Sequence, residues 1–161
     1  MPPISEELQQ RSFENPQQRV LINLLYTSAF VKKASGTVLK PHGFTWQQFN
    51  LLRILRGQRG KPAAMRLLQE RMLDPQSNAS RLVDKLEGKG YVARVTSEVD
   101  KRRVGVTLTS EGTAALAAAS ADMHAFLQGI GGDLSAAQMQ SLSDGLDEFR
   151  ESLQGFLRDA V

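Results

Sequence analysis

Between Pro16 and Leu39 the apolar residues Val20, Leu21, Leu24, Leu25, Ala29 (or Ser28 beside it), Val31 and Val38 recur at helical spacing, which predicts one long helix with a broad apolar stripe. Lys40-Pro41-His42-Gly43 then supplies a proline and a glycine just beyond the last turn, the signals that stop a helix. Thr45 with Gln48 three residues later reads as a capping box, and Phe49, Leu52 and Leu55 follow on one face until Gly57-Gln58-Arg59-Gly60. A third helix is expected from about Ala63 to Met72, with Met65, Leu68 and Met72 turned inward.

The stretch from Leu73 to Val92 carries more. Asp74 suits an N-cap and Pro75 the first helical turn. Ala79, Leu82, Val83 and Leu86 then recur at i, i+3, i+4 and i+7, a core-facing stripe. Gln76, Ser77, Ser80, Arg81 and Asp84 fall on the other face, and Gly88-Lys89-Gly90 ends the helix. Two short helices joined by a tight turn fit a helix-turn-helix, although any helical hairpin on a globular surface shows the same pattern. Two β-prone runs come next, Tyr91–Thr96 and Val104–Thr109, separated by the polar segment Ser97-Glu98-Val99-Asp100-Lys101-Arg102-Arg103. A helix-turn-helix followed by a charged hairpin is a winged helix. Its helix suits a major groove, and an arginine-tipped ribbon suits the narrow, electronegative minor groove beside it.

Downstream, Ser110 is expected to cap a helix rich in alanine that runs to about Gly129, with a break at Gly129-Ile130-Gly131-Gly132. Ser135 and Gln138 form a second capping box. Met139, Leu142, Leu146, Phe149, Leu153 and Phe156 then alternate spacings of three and four, the seam of a packed helix pair. Such a stripe needs a partner, either the first helix of the same chain or a second copy. The expected answer is both: the two ends pack together and against another protomer.

Charge sharpens this picture. The 161 residues carry a net charge of only +3, yet residues 40–103 hold fourteen basic and six acidic side chains while residues 104–161 hold two and eight. A basic middle is what a polyanion-binding surface needs, and a solvated helical surface is the alternative reading. The chain has no cysteine, which removes disulfide frameworks, thiolate metal sites and thiol redox chemistry, and its two histidines, His42 and His124, make a histidine-rich metal site unexpected. No cofactor is expected. No apolar run approaches the roughly 18 to 20 residues that span a bilayer, and MPPISEELQQ lacks the form of a signal peptide, so a cytoplasmic protein is expected. Asp144, Asp147, Glu148 and Glu151 lie on the solvent side of the C-terminal stripe and read as a solvated face. No phosphate loop, nucleophile elbow or zinc-protease motif appears, and no enzyme is expected.

The segment from about Phe44 to Gly112 resembles the MarR family of bacterial transcriptional regulators. The helix SNASRLVDKLEGKGYVAR, the wing Asp100-Lys101-Arg102-Arg103 and the exit Val106-Thr107-Leu108-Thr109-Ser110-Glu111-Gly112 carry the likeness. The turn Met72-Leu73-Asp74-Pro75 departs from the family's commoner small-residue and glycine turn. The resemblance implies a mostly α fold with a small β-wing. A helical dimerisation segment (1–43), a winged helix-turn-helix DNA-binding domain (44–109) and a second helical dimerisation segment (110–161) would make it up. It implies a homodimeric regulator, a repressor on a pseudo-palindromic operator of double-stranded DNA, with a winged helix used only for protein contacts as the alternative. Gln76, Ser77, Ser80 and Arg81 would enter the major groove, and Lys85, Lys89 and Arg94 would meet phosphates. At the wing, Asp100 would steady Arg102 in the minor groove beside Lys101 and Arg103. Leu21, Leu24, Leu142, Leu146, Phe149, Leu153 and Phe156 would form the dimer interface. The family often binds small aromatic or phenolic anions. Tyr26, His42, Phe44, Trp46 and Phe49, with Arg53 as anion partner, could line a crevice for such an effector, or serve as core at a helix junction.

Overall fold

Asn15 opens the first long helix: its side chain accepts the Gln18 N–H at 2.8 Å, and Pro16 occupies the first helical position, where its missing N–H costs nothing. The computed structural model describes residues 3–10, 12–96 and 104–159. After a four-residue α1 (Ile4–Glu7), this helix, α2, runs Pro16–Leu39 and passes into a single 3-10 turn at Lys40–His42. Gly43 ends that turn at φ +69°, in the left-handed region a side chain rarely adopts. The stop signals act as expected. α3 (Trp46–Gly57) starts on the full capping box, with Thr45 Oγ1 accepting the Gln48 N–H at 3.2 Å and Gln48 Oε1 accepting the Thr45 N–H at 3.0 Å.

α3 is the central element of the N-terminal unit, residues 1–123. Phe49, Leu51, Leu52 and Leu55 are all buried on it, together with the polar Gln48 and Asn50. Leu39, Leu68, Val83, Leu86, Val106 and Leu116 complete this core from α2, α4, α5, β3 and α6. The expected third helix is shorter than its apolar spacing suggests. α4 spans Met65–Arg71, and Ala63–Ala64 form a strand, β1, instead. Ala63 pairs with Val106 and Ala64 with Gly105, so β1 is one edge of an antiparallel sheet ordered β1-β3-β2, with β3 in the middle. β2 (Val92–Thr96) and β3 (Val104–Leu108) are the two ribbon strands, in register from Val92 opposite Leu108 to Thr96 opposite Val104. Val92 and Val106 face the core while Val95, on the opposite face, is exposed; Val104 shares the face of Val106 but lies at the far end of the ribbon and is exposed there.

α5 (Ala79–Glu87) buries Ala79, Val83 and Leu86 of its expected stripe but leaves Leu82 half-buried, and it begins four residues later than expected. Asn78 is the cap, accepting the Arg81 N–H at 2.9 Å. Asp74 serves a separate turn, accepting the Gln76 N–H on its side chain at 3.1 Å and the Ser77 N–H on its carbonyl at 3.0 Å. A similar one-residue correction applies to α6 (Ser110–Gly129). Its cap is Thr109, whose Oγ1 accepts the Gly112 N–H at 2.9 Å and donates to Gly90 O at 2.7 Å. Ser110 is already helical, and its hydroxyl turns to Glu111 instead.

The second unit, residues 124–161, holds the end of α6 and α7 (Ala136–Asp159). The Ser135–Gln138 capping box is present, with reciprocal bonds of 2.8 and 3.3 Å. α7 has no buried residue over 24 positions, and Met139, Leu142, Leu153 and Phe156 are exposed. α2 likewise leaves Val20, Leu21, Leu25, Phe30 and Val31 exposed. Apolar surface on this scale on two helices is surface built to be covered.

Candidate nucleic-acid interface

α4 and α5 are joined by the turn at residues 72–78, and α5 leads through Gly88-Lys89-Gly90 into the β2–β3 ribbon. The core stripe of α5 turns its other face out: Ser80, Arg81, Asp84 and Lys85 are exposed. Arg81 and Lys85, one turn apart, share a shallow cleft of about 440 Å³ with Gln47, Asp74, Gln76, Ser77, Asn78 and Leu82. Gln76 and Ser77, expected on the helix, lie in the preceding turn, and only Gln76 is exposed. Ser77 retains 9% of its surface, and its Oγ has no hydrogen-bond partner. A buried hydroxyl without a partner on the wall of a basic cleft is an open hydrogen-bonding position. Gln47, in the first turn of α3, reaches the same cleft. Its only signal in the sequence is a polar side chain in a first turn whose following residues are core.

Two of the expected phosphate ligands are already engaged within the protein. Arg94, on β2, is gripped by Asp84 and Glu87 of α5, and Glu87 also accepts the Arg94 N–H at 3.2 Å. The Asp84 hydrogen bond raises the guanidinium pKa above its ordinary value. Lys89 donates from Nζ to Gly43 O at 2.6 Å, tying the end of α5 to the turn that closes α2. Asp100, Lys101, Arg102 and Arg103 lie outside the described residues.

Of the six residues expected to line an effector crevice, Trp46, Phe49 and Arg53 meet on α3, while Tyr26, His42 and Phe44 make other contacts. Phe44 and Phe49 are core, with 5% and 1% of their surface left, Phe44 packing edge-on against Tyr91 at 5.4 Å between ring centres. Trp46 lies 6.0 Å from Phe49, and the Arg53 guanidinium sits 5.9 Å over the Phe49 ring, a cation–π contact. Tyr26 donates its hydroxyl to Glu7 at 3.0 Å, and that bond raises the phenol above its usual pKa. His42 Nε2 meets the Asp122 carboxylate on α6 at 2.8 Å. Among the described residues no group of His, Cys, Asp and Glu is arranged to hold a metal, and no helix is long and apolar enough to cross a membrane.

A MarR family model matches residues 42–103, the span from the end of the 3-10 turn to just before β3. The transcriptional regulator PecS of Dickeya dadantii is 30% identical over 119 residues, covering 69% of this chain and 70% of PecS. The chain belongs to the MarR family of transcriptional regulators. Solved MarR-type structures share its fold at lower identity. A MarR-like regulator from Bacillus cereus superposes with a TM-score of 0.74 at 20% identity, over 85% of this chain and 97% of its own. The organohalide-sensing regulator RdhR, bound to 2,4-dichlorophenol, gives 0.77 at 18% identity over 90% and 88%. CouR of Rhodococcus jostii, bound to p-coumaroyl-CoA, gives 0.71 at 23% identity over 85% and 95%. The winged helix in MarR form is thus the observed fold of this chain.

Proposed function

We propose that this MarR-family regulator is a cytoplasmic homodimer that binds a pseudo-palindromic operator and represses transcription from it. The observation that carries this reading is the basic cleft at the start of α5, where Arg81 and Lys85 project beside Gln47, Gln76 and Ser77. Each copy presents α5 to a major groove, with half-sites about 34 to 36 Å apart along the duplex. Ser80, Arg81 and Gln76 read base edges. Lys85 neutralises phosphate, and Arg94 and Lys89 hold the helix and ribbon in place rather than touching DNA. RdhR and CouR were solved with ligands that carry a phenol ring. A small phenolic effector that releases the operator is therefore the second part of the proposal.

Selection of bound sites from random duplexes, followed by footprinting, tests the reading; failure to enrich any duplex would favour a winged helix used for protein contacts. Arg81→Ala is expected to weaken operator binding by about 1 to 3 kcal/mol and to flatten base preference at one position per half-site. Equal weakening on operator and random duplex would reassign Arg81 to phosphate. Unchanged affinity on both would remove it from the interface.

The wing gives a second expected outcome. Arg102→Ala leaves folding and dimerisation intact, weakens operator binding about tenfold or more, and lowers the salt slope by about one unit. Asp100→Ala separates two roles. Loss of a negative charge near DNA tightens binding by simple electrostatics, whereas loss of a carboxylate that orients Arg102 weakens it. Titration of both variants at matched salt decides, and tighter operator binding by Asp100→Ala would exclude the orienting role.

A further inference from the structure

The start of α5 is contested in the sequence. Asp74-Pro75 supplies a good cap and a favoured first-turn residue, yet the helix begins at Ala79 on the Asn78 cap. A helix beginning at Pro75 would close its ladder by pairing the Ala79 N–H with Pro75 O, the i to i−4 bond, and the Arg81 N–H with Ser77 O. In the structure one side chain occupies three of those four groups. Gln69 of α4 accepts the Ala79 N–H on Oε1 at 3.1 Å, and its Nε2 donates to Pro75 O at 3.2 Å and to Ser77 O at 2.8 Å. A terminal amide has two N–H donors, and both are used here, with the oxygen taking the third group. The fourth group, the Arg81 N–H, goes to Asn78 Oδ1. On α3, the buried Asn50 holds the other end of the turn by accepting the Leu73 N–H at 3.0 Å.

We infer that Gln69 is a positioning residue that selects where the recognition helix begins, by bonding the backbone groups a longer helix would pair with each other. The inference rests on the DNA-binding reading only for its consequence. With the short helix, Gln76 projects from a turn and Ser77 is tucked into the cleft wall. With one more turn of helix, both would rotate onto its surface and the set of side chains offered to the groove would change.

Backbone chemical shifts of the full-length protein test the selection without DNA. In Gln69→Leu, the Cα shifts of residues 75–78 are expected to move to helical values and the Asn78 amide to gain protection through a new bond to Asp74 O. Removing the competing cap in Asp74→Ala/Gln69→Leu is expected to return the start to Ala79. If Gln69→Leu folds poorly, Gln69→Glu keeps the acceptor and loses both donors, and the same shifts are expected to move part of the way. A residue that merely added stability would lower the melting temperature of Gln69→Leu and leave residues 75–78 non-helical; that result overturns the inference. On duplex DNA, Gln69→Leu is expected to lose about tenfold or more in preference for the selected operator over random sequence, and the double variant to recover it. Helical shifts with unaltered operator preference would uphold the selector and refute its consequence for DNA. An absence of any operator in the parent protein would instead refute the DNA-binding reading.

Discussion

Gly112→Ala is expected to destabilise the protein by about 2 to 4 kcal/mol, through overpacking against backbone that has no room to yield. A Cβ built on Gly112 would lie 1.9 Å from Tyr91 O, 2.7 Å from its carbonyl carbon and 3.0 Å from its Cα. Tyr91 is pinned on both sides: its N–H donates to Leu86 O at 3.0 Å, and its oxygen accepts the Thr109 N–H at 3.2 Å. The glycine of the Thr109-x-x-Gly112 exit is thus explained by contact. Thr109 caps α6 and bonds Gly90 O, and the absence of a side chain three residues on lets α6 rest against the end of the α5–β2 turn. Thermal unfolding at fixed protein concentration should show a fall of about 6 to 12 °C. Gly57→Ala is the control, because a Cβ there meets nothing within 4 Å, and it should change stability by about 0.5 kcal/mol or less. A Gly112→Ala protein that melts with the parent would refute the close packing of α6 on Tyr91.

Features decided within one or two turns of chain are legible in the sequence. Thr45–Gln48 and Ser135–Gln138 formed as capping boxes because each needs only residues three apart. The stripe of α3 and the Ala79, Val83 and Leu86 positions of α5 are buried as their periods indicate, and Gly43 closes the turn after α2 with the positive φ that glycine tolerates. What failed to show was decided at a distance. Ala63–Ala64 has little β propensity and becomes a strand only because β3 lies alongside to accept it. The start of α5 turns on Gln69, ten residues before Ala79.

The same division runs through the site. Arg81 and Lys85 follow from helical spacing alone. Arg94 reads as a free cation until Asp84 and Glu87, ten and seven residues back, come to it across the α5–β2 corner. Ser77 is polar, so composition places it outside, yet the Asp74 turn folds it into the cleft wall. Phe44 and Phe49 look alike as core or as pocket in any sequence, and only their packing separates the two.

Phe156→Asp is expected to leave the protein monomeric at micromolar concentration and to weaken operator binding by a hundredfold or more. The seam Met139, Leu142, Leu146, Phe149, Leu153 and Phe156 runs the length of α7, and Phe156 is its most exposed member at 69%. Full burial of such a ring contributes about 1.5 to 3 kcal/mol. A two-fold interface counts each position twice, so the substitution removes about 3 to 6 kcal/mol before the cost of burying a carboxylate is added. That corresponds to a rise in dimer dissociation constant of about 10² to 10⁴. α5 and the ribbon are untouched, so contact with a single half-site should persist while the pairing of two half-sites is lost. Glu151→Ala, on the opposite face of α7, is the control and should stay dimeric. Sedimentation at several concentrations, run beside operator titration, reads both effects. A Phe156→Asp protein that remains dimeric with parental affinity would place the interface away from this seam, and one that is monomeric yet binds the operator unchanged would separate dimerisation from recognition.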